Sequence, residues 1–541
     1  MIKHFAIDGN NREVNNNWDR WHCLHRCRTA TFGCKSIEYR ESDGRCQLSD
    51  KSRVDINPSL WNNYTEAYDF YERADCNESD SSVVRHVNIT GSKYGMLVYD
   101  LPIQADNVHI EEAETGLYFA ENSSGNSMTF RDSRISQTSE NGILIKSLAL
   151  RYLDMTGSVV DRAGQRGIHM EKNGLRLIVN NGTITRSTYY GIQAAYATFV
   201  LLDGVTFDSN YHHGAYFQYP LNISFTNCVF MKTDRENRYA VYIESMGSNY
   251  GASQSQITMT IKNSVFEQNS RHAIKVTTHY HNVNMFINIH NNLFRNNSDT
   301  LMDLDFYKGI DVLIEDNTIE YNSGSSNLID LHPIYNRYDN RRVKSEVHIV
   351  GNEFLRNEGL TMVYLHPDNI ANNRGTLTDN AFTDNVASQG IIRTTSGNYS
   401  MHYNILENPS SVYELYVAYD GDNIINATYN WWGSAVEAYA DERIFDKEDA
   451  FNAAEVVYIP MLSGKVFTCF AVNNCSNHGE CVRPDRCRCV DGWQGPTCNQ
   501  VSCKQVSDCY GNGNCVGPNV CECTGGWTGE TCADATCYNV N

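Results

Sequence analysis

Along the middle of the chain, apolar and polar residues alternate with period two, in runs of only three to six residues. Such runs predict short β-strands rather than helices. A phrase of the form polar/Asn-x-apolar-x-x-Asn returns again and again, up to about residue 408. Plain copies are Gly204 to Asn210, Asn263 to Asn269, Asn291 to Asn297, Gly351 to Asn357 and Asp379 to Asn385. Its apolar position falls at Ile110, Ile135, Val160, Ile184, Phe207, Phe230, Phe266, Phe294, Ile319, Phe354, Phe382 and Ile405. A second apolar phrase follows each first one, as in Gly142-Ile143-Leu144-Ile145, Gly167-Ile168-His169-Met170, Gly191-Ile192 and Ala273-Ile274-Lys275-Val276.

No strand this short buries its apolar side alone. Stacked copies do, because each coil pairs its backbone with the next and extends one shared interior. A repeat of roughly 23 residues suits three short strands per coil, which predicts a right-handed parallel β-helix, a pectin-lyase-like solenoid in a mainly β chain. The wider steps, such as Phe230 to Phe266 and Ile319 to Phe354, are then loops bulging from one corner. A dozen coils at about 4.8 Å each give a rod of roughly 60 Å. Asn suits the corners, since it tolerates left-handed backbone and stacks on its next copy. Leucine is too sparse for a leucine-rich repeat; a sandwich or propeller is the competing architecture.

Charge and cysteine change the picture next. The 541 residues carry a net charge of −20, without a basic run, which argues against nucleic acid and anionic membrane as partners. Of 19 cysteines, Cys23, Cys27, Cys34, Cys46 and Cys76 lie at the front, Cys228 stands alone, and the rest crowd between Cys469 and Cys537. That distribution predicts an oxidising, extracellular setting. The sequons at Asn63, Asn77, Asn88, Asn122, Asn181, Asn222, Asn296, Asn398 and Asn426 agree with it. No apolar run is long enough to span a bilayer. Met1-Ile2-Lys3-His4 lacks a signal-peptide core, so a fragment or processed form of a larger protein is expected, with any membrane anchor outside this chain.

In residues 1–76, Asn15 to Ala30 has helix character, with Cys23 and Cys27 on one face. Ile37-Glu38-Tyr39 is strand-like, and Cys46-Gln47-Leu48 follows it. This layout resembles the PAN/apple family, α+β modules that bind proteins or carbohydrates. The resemblance implies Cys23–Cys46 and Cys27–Cys34 bridges, and a partner for Cys76 upstream of Met1. A spacer domain is the alternative.

At the other end, Cys469, Cys475, Cys481, Cys487, Cys489 and Cys498 are repeated in spacing by Cys503, Cys509, Cys515, Cys521, Cys523 and Cys532. Both segments resemble EGF-like domains. That resemblance implies Cys469–Cys481, Cys475–Cys487 and Cys489–Cys498, then Cys503–Cys515, Cys509–Cys521 and Cys523–Cys532. The acidic residues that precede calcium-binding EGF units are absent, so no calcium is expected; zinc is the competing reading of clustered cysteine. Cys537 would open a third unit. The domain boundaries read 1–76, 77–462 for the rod and its cap, 463–500, 501–533 and 534–541. Cys228, beside Val229-Phe230, is expected to be a buried free thiol.

After Ile405 the coil pattern gives way to Asn430-Trp431-Trp432-Gly433, a helix-like stretch from Glu437 to Asp446, and the apolar Val456 to Leu462. The tryptophans are expected to cover the end of the core. This cap resembles the bark beetle (Anakonda) family, large junctional ectodomains of invertebrate epithelia. It implies cell–cell adhesion without catalysis, though the PAN-like and EGF-like flanks are not expected of that family.

Many β-helices act on polysaccharides, so the outward column of the second phrase matters. It reads His169 and Glu171, Gln193, Tyr216 and Gln218, Tyr242 and Glu244, Lys275 and Thr277, Asp303 and Asp305, Asp330 and His332, Tyr364 and His366. Carboxylates at Asp303, Asp305 and Asp330 on adjacent coils would stand about 5 Å apart, near the separation retaining glycosidases use. Crowding would raise one pKa, and His332 or His366 would serve as base. A solvated acidic face is the bland alternative. The motif sets of polygalacturonases and pectate lyases are absent. Tyr216, Tyr242 and Tyr364 would offer ring faces to a sugar chain, or would simply fill space. The expectation is thus an extracellular adhesion or recognition ectodomain for protein or glycan ligands, with no cofactor and no metal. A carbohydrate-active enzyme is the alternative.

Overall fold

The computed structural model describes residues 82–535, except 101–102, 125–126, 149, 151, 172–175, 198, 234–237, 246–255, 279–283, 307–309, 334–344, 367–372, 395–398, 419–423, 466–468, 470–471 and 484–485; before residue 82 it describes six short strands. Asn11–Asn15, Arg45–Ser49, Ser36–Arg40 and Asp69–Glu72 form an antiparallel sheet in that order, and Phe5–Ile7 pairs with Trp61–Asn63. Asn15 closes a strand; the helix expected from there to Ala30 lies outside the described residues, as do Cys23, Cys27 and Cys34 of the expected Cys23–Cys46 and Cys27–Cys34 bridges.

From Ser82 the chain winds into the rod. Most coils contribute three strands, for example Phe199–Asp203, Thr206–Asp208 and Ala215–Gln218, while in Ser82–Thr90, Ile103–Glu111, Tyr152–Asp161 and Arg176–Thr185 the first two run on as one. We call their stacks the first, second and third faces. The third face is a 14-stranded parallel sheet running from Tyr94–Asp100 to Ile444–Phe445. At about 4.8 Å per strand it is a stack of roughly 65 Å. The strands flanking residues 246–255, 279–283, 334–344 and 367–372 place these longer excursions at one corner, between the third face and the next first face.

The repeated apolar position points inward on the second face. Phe207, Phe230, Phe266 and Phe294 stack with ring centroids 4.7, 5.0 and 4.8 Å apart, and Phe354 lies 4.4 Å from Phe382. All are fully buried. The final position needs correcting. Phe382 pairs with Leu406, while Ile405 pairs with Ala381. The last phrase, Asn404 to Asn408, has lost one corner residue, and the shortened spacing shifted the reading by one.

The asparagines divide their expected tasks. Left-handed backbone belongs to the outer corner residues, such as Asn263, Asn291, Asp316 and Asp379 before the strand and Asn296, Tyr321, Arg356 and Asp384 after it. The stacked asparagines are their inner neighbours. One ladder runs Ser264, Asn292, Asn317, Asn352, Asn380, Asn404, Asn430, each asparagine Oδ1 accepting the backbone N–H of the residue one coil earlier. The other runs Asn269, Asn297, Asn322, Asn357, Asn385, Asn408. Cys228 occupies the first column, where its neighbours are Ser264 and Val205. Its thiol is free and buried, and burial pushes its pKa up to about 12.

Trp432 is 1% exposed and covers the end of the core, with Tyr458 edge-on to its ring. The helix beside it is only Glu437–Asp441, because Ile444–Phe445 leaves it to pair with Leu415–Val417 as the last strand of the third face. Arg488 of the first cysteine-rich unit ion-pairs with Glu353 of the rod, and Lys465 with Glu407.

Candidate functional site

Register places the outward column of the third face in one line: His169, Gln193, Tyr216, Tyr242, Lys275, Asp303, Asp330, Tyr364, Arg393, Tyr416. A second line runs Gln218, Glu244, Thr277, Asp305, His332. Asp303, Asp305, Asp330, His332 and His366 do come together, and neighbouring coils supply their partners. Lys275 Nζ lies 2.7 Å from Asp303 Oδ2 and 2.5 Å from Asp305 Oδ2. His366 Nε2 is 2.6 Å from Asp330 Oδ1, and Asn327 Nδ2 donates to its Oδ2 at 2.9 Å. His332 Nδ1 lies 3.5 Å from Asp305 Oδ1, and its ring stacks on His366 at 4.4 Å.

The two central carboxyls are pushed apart. Burial raises Asp303 above the usual carboxylate range, against the pull of Lys275. Burial also acts on Asp330, but the bonds from His366 and Asn327 outweigh it and hold its carboxyl below that range. The stabilisation carried by Asp330 is therefore present above about pH 4 and lost as pH falls through its folded value. Asp303 has the opposite sign. In melting temperatures followed from pH 6 down to pH 2.5, Asp330→Asn should flatten the acid limb and Asp303→Asn should not. Equal flattening by both would contradict these environments.

The three tyrosines pack their ring faces against neighbouring side chains. Tyr216 and Tyr242 stack on each other, centroids 5.0 Å apart and 7° from parallel. Tyr364 is faced by His366 at 3.6 Å and by the Arg393 guanidinium at 4.4 Å. Tyr216 Oη donates to Glu244 at 2.5 Å.

A third line escaped the sequence reading. Tyr190, His213, Tyr239 and His272 flank the column, with centroids 5.3, 5.1 and 5.2 Å apart in turn. Burial lowers the His213 pKa to about 3 and that of His272 to about 4, so both rings are neutral at ordinary pH. Their signal was present: each precedes a small residue that opens the second phrase, as in Tyr190-Gly191-Ile192 and His213-Gly214-Ala215. At Gly191 the residue must be glycine, because a Cβ there would lie 2.4 Å from the Gly214 carbonyl oxygen, whereas the later coils carry alanine at this position, as Ala240 and Ala273.

Beyond the rod, Cys469–Cys481, Cys475–Cys487 and Cys489–Cys498 are bonded, as are Cys503–Cys515, Cys509–Cys521 and Cys523–Cys532. The clusters Cys469/Cys475/Cys487 and Cys503/Cys509/Cys521 have metal-like spacing, but these sulfurs are engaged in disulfides. Asn88, Asn181, Asn296 and Asn426 are exposed and Asn222 is half-buried, all on the first two faces or their corners. Asn63 lies in a described strand and Asn122 in Thr115–Ser124 of the third face, but their side chains are not described; Asn77 and Asn398 lie outside the described residues.

Comparison with known families agrees with this geometry. The family model for a right handed beta helix region matches residues 86–257 and 151–294, that for a PAN domain residues 2–76, and that for an EGF-like domain residues 469–498. The chain is a right-handed parallel β-helix protein with PAN and EGF-like modules. A 68-residue stretch is 40% identical to protein bark beetle of Drosophila melanogaster, covering 12% of this chain and 2% of that protein. Among solved structures, the catalytic unit of an α-1,3-glucanase from Streptomyces thermodiastaticus aligns over 78% of this chain and 76% of its own, at a TM-score of 0.30 and 9% identity. Its modules and disulfides mark this β-helix protein as an extracellular, adhesion-type ectodomain. Among the described residues, no helix is long and apolar enough to cross a membrane.

Proposed function

We propose that this ectodomain recognises protein or glycan ligands at the cell surface or in the matrix, organises cell–cell junctions of epithelia, and does so without catalysis. The observation that carries this reading is the state of the third face. Its carboxylates are already paired along the rod: Asp303 and Asp305 by Lys275, Asp330 by His366 and Asn327. Such a ladder stiffens a scaffold, whereas a general acid or nucleophile needs a free approach to its substrate. The likeness to protein bark beetle supports the junctional part, and the net charge of −20 argues against nucleic-acid partners. Attachment to a membrane would run through a segment outside this chain.

One observation favours a second reading. Asp303 and Asp330 sit on adjacent coils with pKa values displaced in opposite directions, the pattern of an acid and base pair. The secreted chain should therefore be tested in two ways. Cells displaying it should aggregate, and aggregation should survive Asp303→Asn and Asp330→Asn. Incubation with a polysaccharide panel should release no reducing ends. Hydrolysis abolished by either substitution would establish the enzyme reading instead.

A further inference from the structure

The junction between the two EGF-like units is a packed joint. The first unit ends with Trp493–Gln494 paired antiparallel to Gln500–Val501. Directly after it, the Ser502 N–H donates to the Gly492 carbonyl at 2.8 Å, and the Ser502 carbonyl accepts from the Asn519 N–H at 2.9 Å. One residue, 4% exposed, is thus bonded to both units. Gly492 holds φ +86°, and a Cβ there would lie 2.5 Å from the Pro518 Cβ. Pro518 and Asn519 form the turn between Gly513–Gly517 and Val520–Cys523 of the second unit. The glycine of one unit is a socket for the turn of the next, and any larger residue would force the two apart.

The same parts recur one unit further on. Trp527–Thr528 pairs with Asp534–Ala535 in the register of the first exit ribbon. Gly526 holds φ +96° in the place of Gly492, with no atom of the described residues within 4 Å of its Cβ position. In the sequence, Thr536 and Cys537 follow that ribbon at the spacing at which Ser502 and Cys503 follow the first. We infer that the surface around Gly526 is a docking site for the turn of an EGF-like unit opening at Cys537. Successive units then stack as a stiff series. The joint is made of backbone groups bonded to each other and a glycine–proline contact, so its stiffness requires no calcium.

The test uses the full chain and a version with a copy of residues 503–536 inserted after Thr536. Amide exchange at Thr536 should slow on the order of tenfold or more when the extra unit is present, towards the rate of Ser502. The slowing should persist in EDTA. It should vanish when the inserted copy carries Pro518→Glu, which leaves the original units untouched. Gly526→Val should abolish it too, with the Cys523–Cys532 bridge verified by mass mapping. Unchanged exchange at Thr536 on insertion would overturn the docking site. So would slowing that survives Pro518→Glu in the copy, and slowing lost in EDTA would overturn the calcium-free joint.

Discussion

Asn352→Ala should destabilise the middle of the rod by about 3–5 kcal/mol, from one or two orphaned buried groups at ~1–3 kcal/mol each and the cavity left behind. Asn352 is fully buried. Its Oδ1 accepts from the Asn317 backbone N–H at 3.0 Å and from Asn317 Nδ2 at 2.9 Å. Its own Nδ2 donates to Asn380 Oδ1 at 3.0 Å and to the Ile314 carbonyl at 2.8 Å. Alanine strands the Asn317 N–H in a dry interior and takes one of its donors from the Ile314 carbonyl. Asn317 Nδ2 keeps its bond to the Ile289 carbonyl, which bounds the damage. Asn352→Ser should cost less, since earlier coils use serine at this column: Ser158 Oγ accepts from the Ser133 N–H and Ser264 Oγ from the Cys228 N–H. Because each coil touches only its neighbours, the alanine variant should uncouple the two halves and split the denaturant transition in two. Circular dichroism in urea would test this. A single transition shifted by less than 1 kcal/mol would mean that the ladder adds little.

The same ladder explains what sequence made legible and what it hid. The phrase Asn352-Glu353-Phe354-Leu355-Arg356-Asn357 holds a ladder asparagine at each end, an inward ring and a left-handed corner at Arg356, where φ is +51°. Every feature of that coil is local, so the period could be read directly. The acidic column was legible for the same reason: parallel register copies position onto position, as Asp303 onto Asp330. What the sequence could not give was the state of those groups. Whether Lys275 lies between Asp303 and Asp305, or turns to solvent, depends on side-chain rotamers and burial rather than period. The same limit applied to Tyr216 and Tyr242. Alternation put them outside, but only the ring planes reveal that they stack on each other. The helix-like stretch of the cap was read too long for a different reason. Residues 437–446 contain good helix formers, yet the last open edge of the third face takes Ile444–Phe445 as a strand, and Phe445 stacks on Tyr416 at 4.5 Å. An unpaired sheet edge next to a short helix outweighs propensity.

The far end of the second ladder carries the other large effect. Asn408 has no asparagine beyond it, and Glu414 takes that place. Its Oε1 accepts from the Asn408 N–H at 2.7 Å and its Oε2 from Asn408 Nδ2 at 2.8 Å. Arg443 donates to Oε1 at 3.1 Å and to the Asn408 and Ser411 carbonyls at 2.7 Å each. A carboxylate 1% exposed therefore ends the ladder, and an arginine from the cap ties it to the last strand. Glu414→Ala removes both acceptors and leaves the guanidinium without its counter-charge, at a cost of about 3–5 kcal/mol. The damage should stay local, fraying residues 405–462 and exposing the sheet edge they cover. Limited proteolysis should cut there first. Glu414→Gln retains one acceptor but turns an N–H₂ towards a donor, so about 1–3 kcal/mol is expected. The pH dependence separates charge from shape. Burial raises the Glu414 pKa despite its bonds to Asn408 and Arg443. Its contribution is therefore full at low pH and declines as pH rises through the folded value. The deficit of Glu414→Gln against the parent should shrink between pH 4 and pH 8 in denaturant melts. A deficit that grows instead would mean that Arg443 governs this carboxylate more than burial does.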